Sequence, residues 1–221
     1  MVSIVIGAAG GIGSAFVQAL GRSAVGYSRQ SEPAIDIGDE ASIAAVAQIA
    51  AKGEAIDLIV DATGFLHGDG FMPEKTFTAI DATNMARSFA LNAIGPALLM
   101  KHFLPLLPPD RRSVFVTLSA KVGSIGDNRV GGWYSYRAAK AALNQIMHTA
   151  AIELQRKRPL AICIALHPGT VETPLSAPFA KVGLKVRTPA TAVAEMLQVI
   201  NSLTAADTGK FFSYDGAELP W

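Results

Sequence analysis

The sequence predicts an α/β fold: a mostly parallel, doubly wound sheet of seven strands with helices on both faces. Short apolar runs alternate with longer segments of helical spacing, which is the pattern of parallel strands joined by crossover helices. The runs are apolar at nearly every position, as strands covered on both faces are. The 221-residue length suits one α/β domain with a large core, so residues 1–221 are read as a single domain.

Val2–Ile6 is the first strand, and it runs into Gly7-Ala8-Ala9-Gly10-Gly11-Ile12-Gly13 before the helical spacing of Ser14–Leu20. Strand, glycine turn and helix in that order can hold a pyrophosphate, because bare backbone approaches closely and the helix start supplies N–H groups and a positive dipole. The spacing is G-x-x-x-G-x-G, not the more familiar G-x-G-x-x-G. The second strand, Ala24–Ser28, ends at Ser28-Arg29. An acid there would hold the ribose hydroxyl of NAD, whereas an arginine accommodates the 2′-phosphate of NADP. With Arg29 and no acid at the tip, NADP(H) is expected over NAD(H).

A short third segment ends at Asp36-Ile37 and is counted as the third of seven strands, followed by an amphipathic helix over Asp39–Lys52. Ile56–Val60 is the next strand and ends in Asp61-Ala62-Thr63-Gly64, with a polar loop through His67, Gly68, Asp69 and Gly70 at the ligand-binding edge. A long helical segment spans about Asp81 to Leu107. Within it Pro96 has no N–H, so the carbonyl of Asn92 loses its helical partner and is free to bind an ordered water.

Ser113–Leu118 is the fifth strand and Ser119 follows it; the next helix runs to about Arg158. Leu160–Leu166 is the sixth strand, and it leads into His167-Pro168-Gly169-Thr170-Val171-Glu172-Thr173-Pro174. Thr188-Pro189 caps a helix to about Leu203, and the last short strand lies at Gly209–Phe212.

Half of the residues are apolar and the net charge is +1, which provides no basic field for nucleic acid or anionic lipid. The Leu-rich run from Pro96 to Pro109 is interrupted by Lys101 and His102, so no membrane span is expected. The start reads as a strand without a basic leader, so no signal peptide is expected. The single cysteine, Cys163, falls in the sixth strand as a buried, inert thiol; no internal disulfide can form, and a reducing, cytoplasmic setting is expected. No Cys/His spacing suits a metal.

The chemistry concentrates in Tyr134-Ser135-Tyr136-Arg137-Ala138-Ala139-Lys140. Tyr136 and Lys140 are four residues apart and share a helix face, while Tyr134 lies on another. A free tyrosine ionises near pKa ~10, and a neighbouring ammonium favours the phenolate. By itself such a pair is more often an interfacial tyrosine beside a solvated lysine. Its company decides the reading.

Gly7-x-x-x-Gly11-x-Gly13, Asn92 in an Asn-x-x-Gly setting, Ser119, Tyr136-x-x-x-Lys140 and Pro168-Gly169 come in the order of the short-chain dehydrogenase/reductase family. The chain resembles that family, with its Rossmann-type fold, over essentially its whole length. The run Gly131–Arg137 and the ending Tyr214-Asp215-Gly216 … Leu219-Pro220-Trp221 look most like its C-factor and sniffer-type carbonyl reductases.

The resemblance implies an oxidoreductase that moves a hydride between NADP(H) and a carbonyl or alcohol. Tyr136 would be the acid/base, and Lys140 would lower its pKa and bind the nicotinamide ribose. A serine would polarise the substrate oxygen, and Asn92 would hold the water linking Lys140 to solvent. Gly7, Gly11, Ile12 and Gly13 would line the pyrophosphate, and Asp36 and Ile37 would flank the adenine. Gly64, Pro168, Gly169, Val171 and Thr173 would complete the cofactor site, the last two at the carboxamide.

The pattern departs from the family in three places. Asp61-Ala62-Thr63-Gly64 stands where Asn-Asn-Ala-Gly is usual. The usual double serine is Ser119-Ala120, so Ser119 is the expected catalytic serine, with Ser124 as the alternative and Ala120 at the gap-free position. The segment from Pro174 to Thr188 is short and carries Leu175, Pro178, Phe179, Val182 and Leu184, which suggests an open site for apolar carbonyl compounds. The alternative function is a dinucleotide-binding signalling or regulatory protein with weak catalysis; an epimerase would need a larger C-terminal substrate domain. The helices around Asn92–Leu107 and Tyr136–Ile152 are apolar on more than one face, which favours a homodimer or homotetramer.

Overall fold

The computed structural model describes residues 2–68, 70–179 and 186–221. Its strands are β1 (Val2–Ile6), β2 (Ala24–Tyr27), β3 (Ile56–Asp61), β4 (Ser113–Leu118), β5 (Ala161–His167), β6 (Thr170–Val171), β7 (Val186–Arg187) and β8 (Phe211–Ser213). Six form one sheet in the order β2-β1-β3-β4-β5-β8, and β6 pairs with β7 separately. Every pairing between these strands is parallel. The helices are α1 (Gly11–Leu20), α2 (Glu40–Ala50), α3 (Ala82–Phe89), α4 (Gly95–Phe103), α5 (Tyr134–Lys157) and α6 (Pro189–Ser202).

The strands divide their side chains between two cores because successive residues point to opposite faces. Ile4, Ile6, Ile59 and Phe115 pack with Leu99, Phe103, Leu143 and Met147 from α4 and α5. Val5, Val60, Val114 and Val116 pack with Phe16 of α1 and Met196 of α6 on the other side. Each fully buried side chain of this size contributes about 1.5–3 kcal/mol through removal from water. The helix starts follow local chemistry: Asp39 accepts from Ala41 N, Asp81 from Asn84 N, and Thr188 from Thr191 N with Pro189 behind it.

The main sheet has six strands, not the expected seven. The segment ending at Asp36-Ile37 forms no strand, because its backbone groups are satisfied locally. Ile35 N donates to Ser28 O at 2.9 Å, and the Ser31 hydroxyl accepts from Ser28 N at 2.9 Å and shares its one proton between Ser28 O and Pro33 O, each 2.8 Å away. Pro33 also lacks the N–H that a sheet ladder requires.

The long helical segment is interrupted where Pro96 predicts it. Between α3 and α4, Ala90–Ile94 forms one wide π turn, and Gly95 N donates to Ala90 O across it. By length and composition the run Ala82–Leu106 is apolar enough to cross a membrane. Its apolarity has a use here, since Leu99, Met100, Phe103 and Leu104 are buried in the core against α5 and the sheet. Gly95 is held bare by packing, because a Cβ there would lie 2.2 Å from Ile37 Cγ1. At the other end of the chain, Leu219 N donates to Phe211 O and the Trp221 carbonyl accepts from Gly126 N at 2.8 Å, so the tail folds back over β8 onto the loop between β4 and α5.

Candidate active site

The strand order reverses direction at β1, whose neighbours are β2 and β3. In a parallel sheet the crevice outside the carboxyl ends of such strands is where ligands bind. A cavity of about 450 Å³ lies there, and Gly7, Ser28, Arg29, Asp36, Ile37 and Gly64 are among its walls. The glycine turn closes on itself. Gly7 has φ +85°, a Cβ on Gly13 would lie 2.2 Å from the Gly7 carbonyl oxygen, and one on Gly11 would lie 2.8 Å from Thr173 Cγ2. Ile12 sits in the first turn of α1. The residue before that turn, Gly10, supplies no capping side chain, so the opening N–H groups are free of a side-chain acceptor. These features fit a dinucleotide, whose pyrophosphate would accept those N–H groups.

Asn92 sits in the π turn and is fully buried. Its Oδ1 accepts from Phe65 N at 2.9 Å, while its Nδ2 donates to Phe65 O at 2.7 Å and Ser88 O at 3.1 Å. The amide therefore clamps the loop after β3 to the helix kink. Pro168 and Gly169 follow β5. Gly169 has φ +76°, and a Cβ there would meet the Tyr214 ring at 2.9 Å. Val171 is buried in β6. Thr173 closes a turn in which Ser176 N donates to its carbonyl at 3.1 Å. Val182 and Leu184 of the expected apolar lid lie outside the described residues.

Tyr136 and Lys140 lie on the buried face of α5. The Lys140 ammonium, in a residue only 2 % exposed, donates to Leu118 O at the end of β4 at 2.8 Å, and it lies 5.9 Å from the centre of the Tyr136 ring. Burial pulls Lys140 down to about 8, against the opposing attraction of Asp61. For Tyr136 burial raises the phenol above its ordinary value. The lowering expected from Lys140 does not prevail over this burial.

Asp61, at the end of β3, is buried. Its Oδ1 accepts from Thr63 N at 3.0 Å and Thr63 Oγ1 at 2.6 Å, and its Oδ2 accepts from Thr117 Oγ1 at 2.7 Å. Burial raises its pKa, and these hydrogen bonds and Lys140 oppose the rise. Both candidate serines are tied into the scaffold. The Ser119 hydroxyl donates to Asn144 Oδ1 at 2.6 Å, and Ser124 Oγ accepts from Asp127 N at 3.0 Å. Asn144 Nδ2 is buried without a partner.

Three residues not anticipated as site residues shape the mouth. The Trp133 ring meets Tyr136 edge-on at 6.2 Å and Phe179 at 5.0 Å. His67 stands edge-on to Phe179 at 5.5 Å, and its Nε2 lies 3.2 Å from Pro174 O, so an Nε2–H tautomer bridges the loops after β3 and β6. Glu74, from the loop after β3, reaches the start of α5. The signal for Trp133 was its place in the quoted Gly131–Arg137 run; nothing local in the sequence singles out Glu74.

Comparison with known proteins agrees with this architecture. A family model described as enoyl-(acyl carrier protein) reductase matches residues 14–206. The chain belongs to the short-chain dehydrogenase/reductase family. The 1-hydroxy-2-glutathionyl-2-methyl-3-butene dehydrogenase of Rhodococcus sp. (strain AD45) is 31% identical over 191 residues, covering 86% of this chain and 80% of its own. C-signal of Myxococcus xanthus is 36% identical over 144 residues, covering 64% of this chain and 81% of its own. The structure of NADPH-bound carbonyl reductase from chicken fatty liver matches with a TM-score of 0.85 at 25% identity, over 100% of this chain and 98% of that one. The carbonyl reductase Sniffer of D. melanogaster has the same fold, with a TM-score of 0.85 at 22% identity over 100% of this chain and 99% of that one.

Proposed function

We propose that this protein is an NADP(H)-dependent carbonyl reductase in which Tyr136 is the acid/base group. The observation that carries the reading is the buried Lys140 ammonium held one helical turn from Tyr136 at the carboxyl edge of the sheet. The cofactor supplies the hydride; the protein supplies position and charge. A phenol raised by burial keeps its proton at neutral pH, which suits Tyr136 to protonating a carbonyl oxygen as it is reduced. Lys140 stabilises the phenolate left behind, and Asn92 holds the loop that forms one wall of the cofactor cavity. Arg29 takes the 2′-phosphate of NADP, a preference supported by the absence of an acid at the β2 tip and by the NADPH in the chicken carbonyl reductase.

Ser119 takes the role of polarising the substrate oxygen. With the Asn144 amide turned over, its Nδ2 would donate to Ser119 Oγ and leave the serine proton free for that oxygen. The rings of Trp133, Phe179 and His67 favour apolar and aromatic carbonyl compounds. Self-association as a homodimer or homotetramer is supported by the helical segments around Asn92–Leu107 and Tyr136–Ile152, whose sequences are apolar on more than one face.

The test is NADPH oxidation with a panel of aldehydes and ketones, with Tyr136→Phe as control. Wild type should turn over apolar carbonyls, and the variant should lose at least about 100-fold. Equal, slow rates across the panel would favour a second reading, a dinucleotide-binding protein with dispensable catalysis. The C-signal relative and the committed Ser119 hydroxyl give that reading its support.

A further inference from the structure

α5 begins in an unusual way. Gly131, Gly132 and Trp133 are left-handed in succession, with φ of 67°, 67° and 53°, and Trp133 is the one non-glycine residue with positive φ among the described residues. Such a backbone is disfavoured for a bulky residue and persists only where its surroundings impose it. Trp133 also offers no capping side chain to the helix that follows.

What imposes this start is Glu74, which is 5 % exposed and lies 61 residues upstream of Ser135. Its backbone carbonyl accepts from Trp133 N at 2.5 Å. Its carboxylate accepts from Ser135 N at 3.1 Å through Oε2 and from the Ser135 hydroxyl through Oε1. A Cβ on Gly132 would come within 3.6 Å of the Glu74 carbonyl oxygen, so the two backbones run close together. From the other side the Arg137 guanidinium donates to Gly132 O at 2.9 Å, Gly131 O at 3.0 Å and Val122 O at 3.2 Å.

We propose that Glu74 is the positioning residue for Tyr136, capping α5 from the loop after β3 and holding Trp133 in its left-handed turn. The proposal rests on Tyr136 being the acid/base group. The two bonds at Ser135 place the next residue, and the bond at Trp133 aims the indole across the Tyr136 ring. The same loop carries Phe65, clamped by Asn92, and His67, bridged to Pro174. The cavity wall, the substrate mouth and the phenol therefore share one support.

Glu74 also places negative charge at the start of α5. Among the described residues, Lys140 lies one turn along α5 from Tyr136, Asp61 from β3 acts on Lys140, Arg137 is turned onto the loop carbonyls, and His67 lies beyond Phe179. A carboxylate there opposes ionisation of Tyr136 and keeps the proton on it until the substrate oxygen takes it.

The experiment compares wild type, Glu74→Gln, Glu74→Ala and Tyr136→Phe in NADPH-dependent reduction of an aromatic aldehyde across pH, with NADPH affinity measured by fluorescence titration. Glu74→Gln keeps the shape and an acceptor for Ser135 but removes the charge. It should retain most of kcat at neutral pH and move the alkaline limb of kcat down by about one pH unit. Glu74→Ala should lower kcat more than about tenfold while NADPH affinity stays within about twofold of wild type. Should Glu74→Ala not fold, Glu74→Gln still decides the matter: an unmoved limb, with wild type active and Tyr136→Phe inactive, means Glu74 is scaffold only and overturns the proposal. If wild type is no faster than Tyr136→Phe, the carbonyl-reductase reading fails and takes this proposal with it.

Discussion

Replacing Asn92 by alanine removes one amide that makes both hydrogen bonds of the Phe65 backbone, at 2.9 and 2.7 Å, and a third to Ser88 O at 3.1 Å. Each such bond contributes a net of about 0.5–1.5 kcal/mol, and a buried group left unpaired costs about 1–3 kcal/mol. Phe65 is half-buried, so water can reach part of what is freed, and the Ser88 carbonyl keeps its helical setting. The expected loss is therefore about 2–4 kcal/mol, or a fall in Tm of roughly 5–12 °C for a chain of this size. Calorimetry and urea unfolding measure it. Because Phe65 and Gly64 belong to the cofactor cavity, NADPH affinity should weaken as well, by about tenfold for ~1.4 kcal/mol of loop ordering. The companion variant Asn92→Asp keeps Oδ1 but turns the donor into an acceptor facing two carbonyls, so it should be no more stable than the alanine variant. A fully stable Asn92→Asp would refute the clamp, since no arrangement of a carboxylate reproduces those donated bonds.

The other expectations are shorter. Lys140 has a folded pKa of about 8 against 10.5 unfolded, so below about pH 8 both states hold the proton and the cost of burying it is present in full. Between those values unfolding takes up a proton, so stability rises with pH; relative to Lys140→Met, wild type should gain about 3 kcal/mol across that window in urea unfolding. A flat difference between the two proteins would mean that Lys140 holds its proton as firmly in the folded protein as in the unfolded chain. Arg29→Ala should weaken NADPH binding by about 1–2 kcal/mol while leaving NADH nearly unchanged, as measured by titration of both cofactors. Equal losses would remove the 2′-phosphate contact.

Much of the architecture is legible along the chain because it is local. Strands buried on both faces announce themselves as unbroken apolar runs, as Leu160–Leu166 does, and Pro96 announces the helix kink by lacking an N–H. The glycines of the first turn are readable for the same reason, since bare backbone there has few uses. The segment ending at Asp36-Ile37 misleads, because whether a short stretch joins a sheet depends on which acceptors lie beside it. Here Ser28 and Ser31 offer closer ones.

The candidate site divides along the same line. The sequence by itself determined the family, and it singled out Tyr136 and Lys140 as the candidate acid/base pair through their four-residue helical spacing, along with the glycine turn. Only the tertiary structure decided what those groups meet: that Lys140 ends on Leu118 O, that Ser119 is turned onto Asn144, and that Asp61 is held by Thr63 and Thr117. It alone revealed Glu74 at the start of α5. Periodicity reports which residues share a face of one element, but hydrogen bonds between elements and the loss of water around a group arise only when distant segments pack, and it is that burial which raises Tyr136.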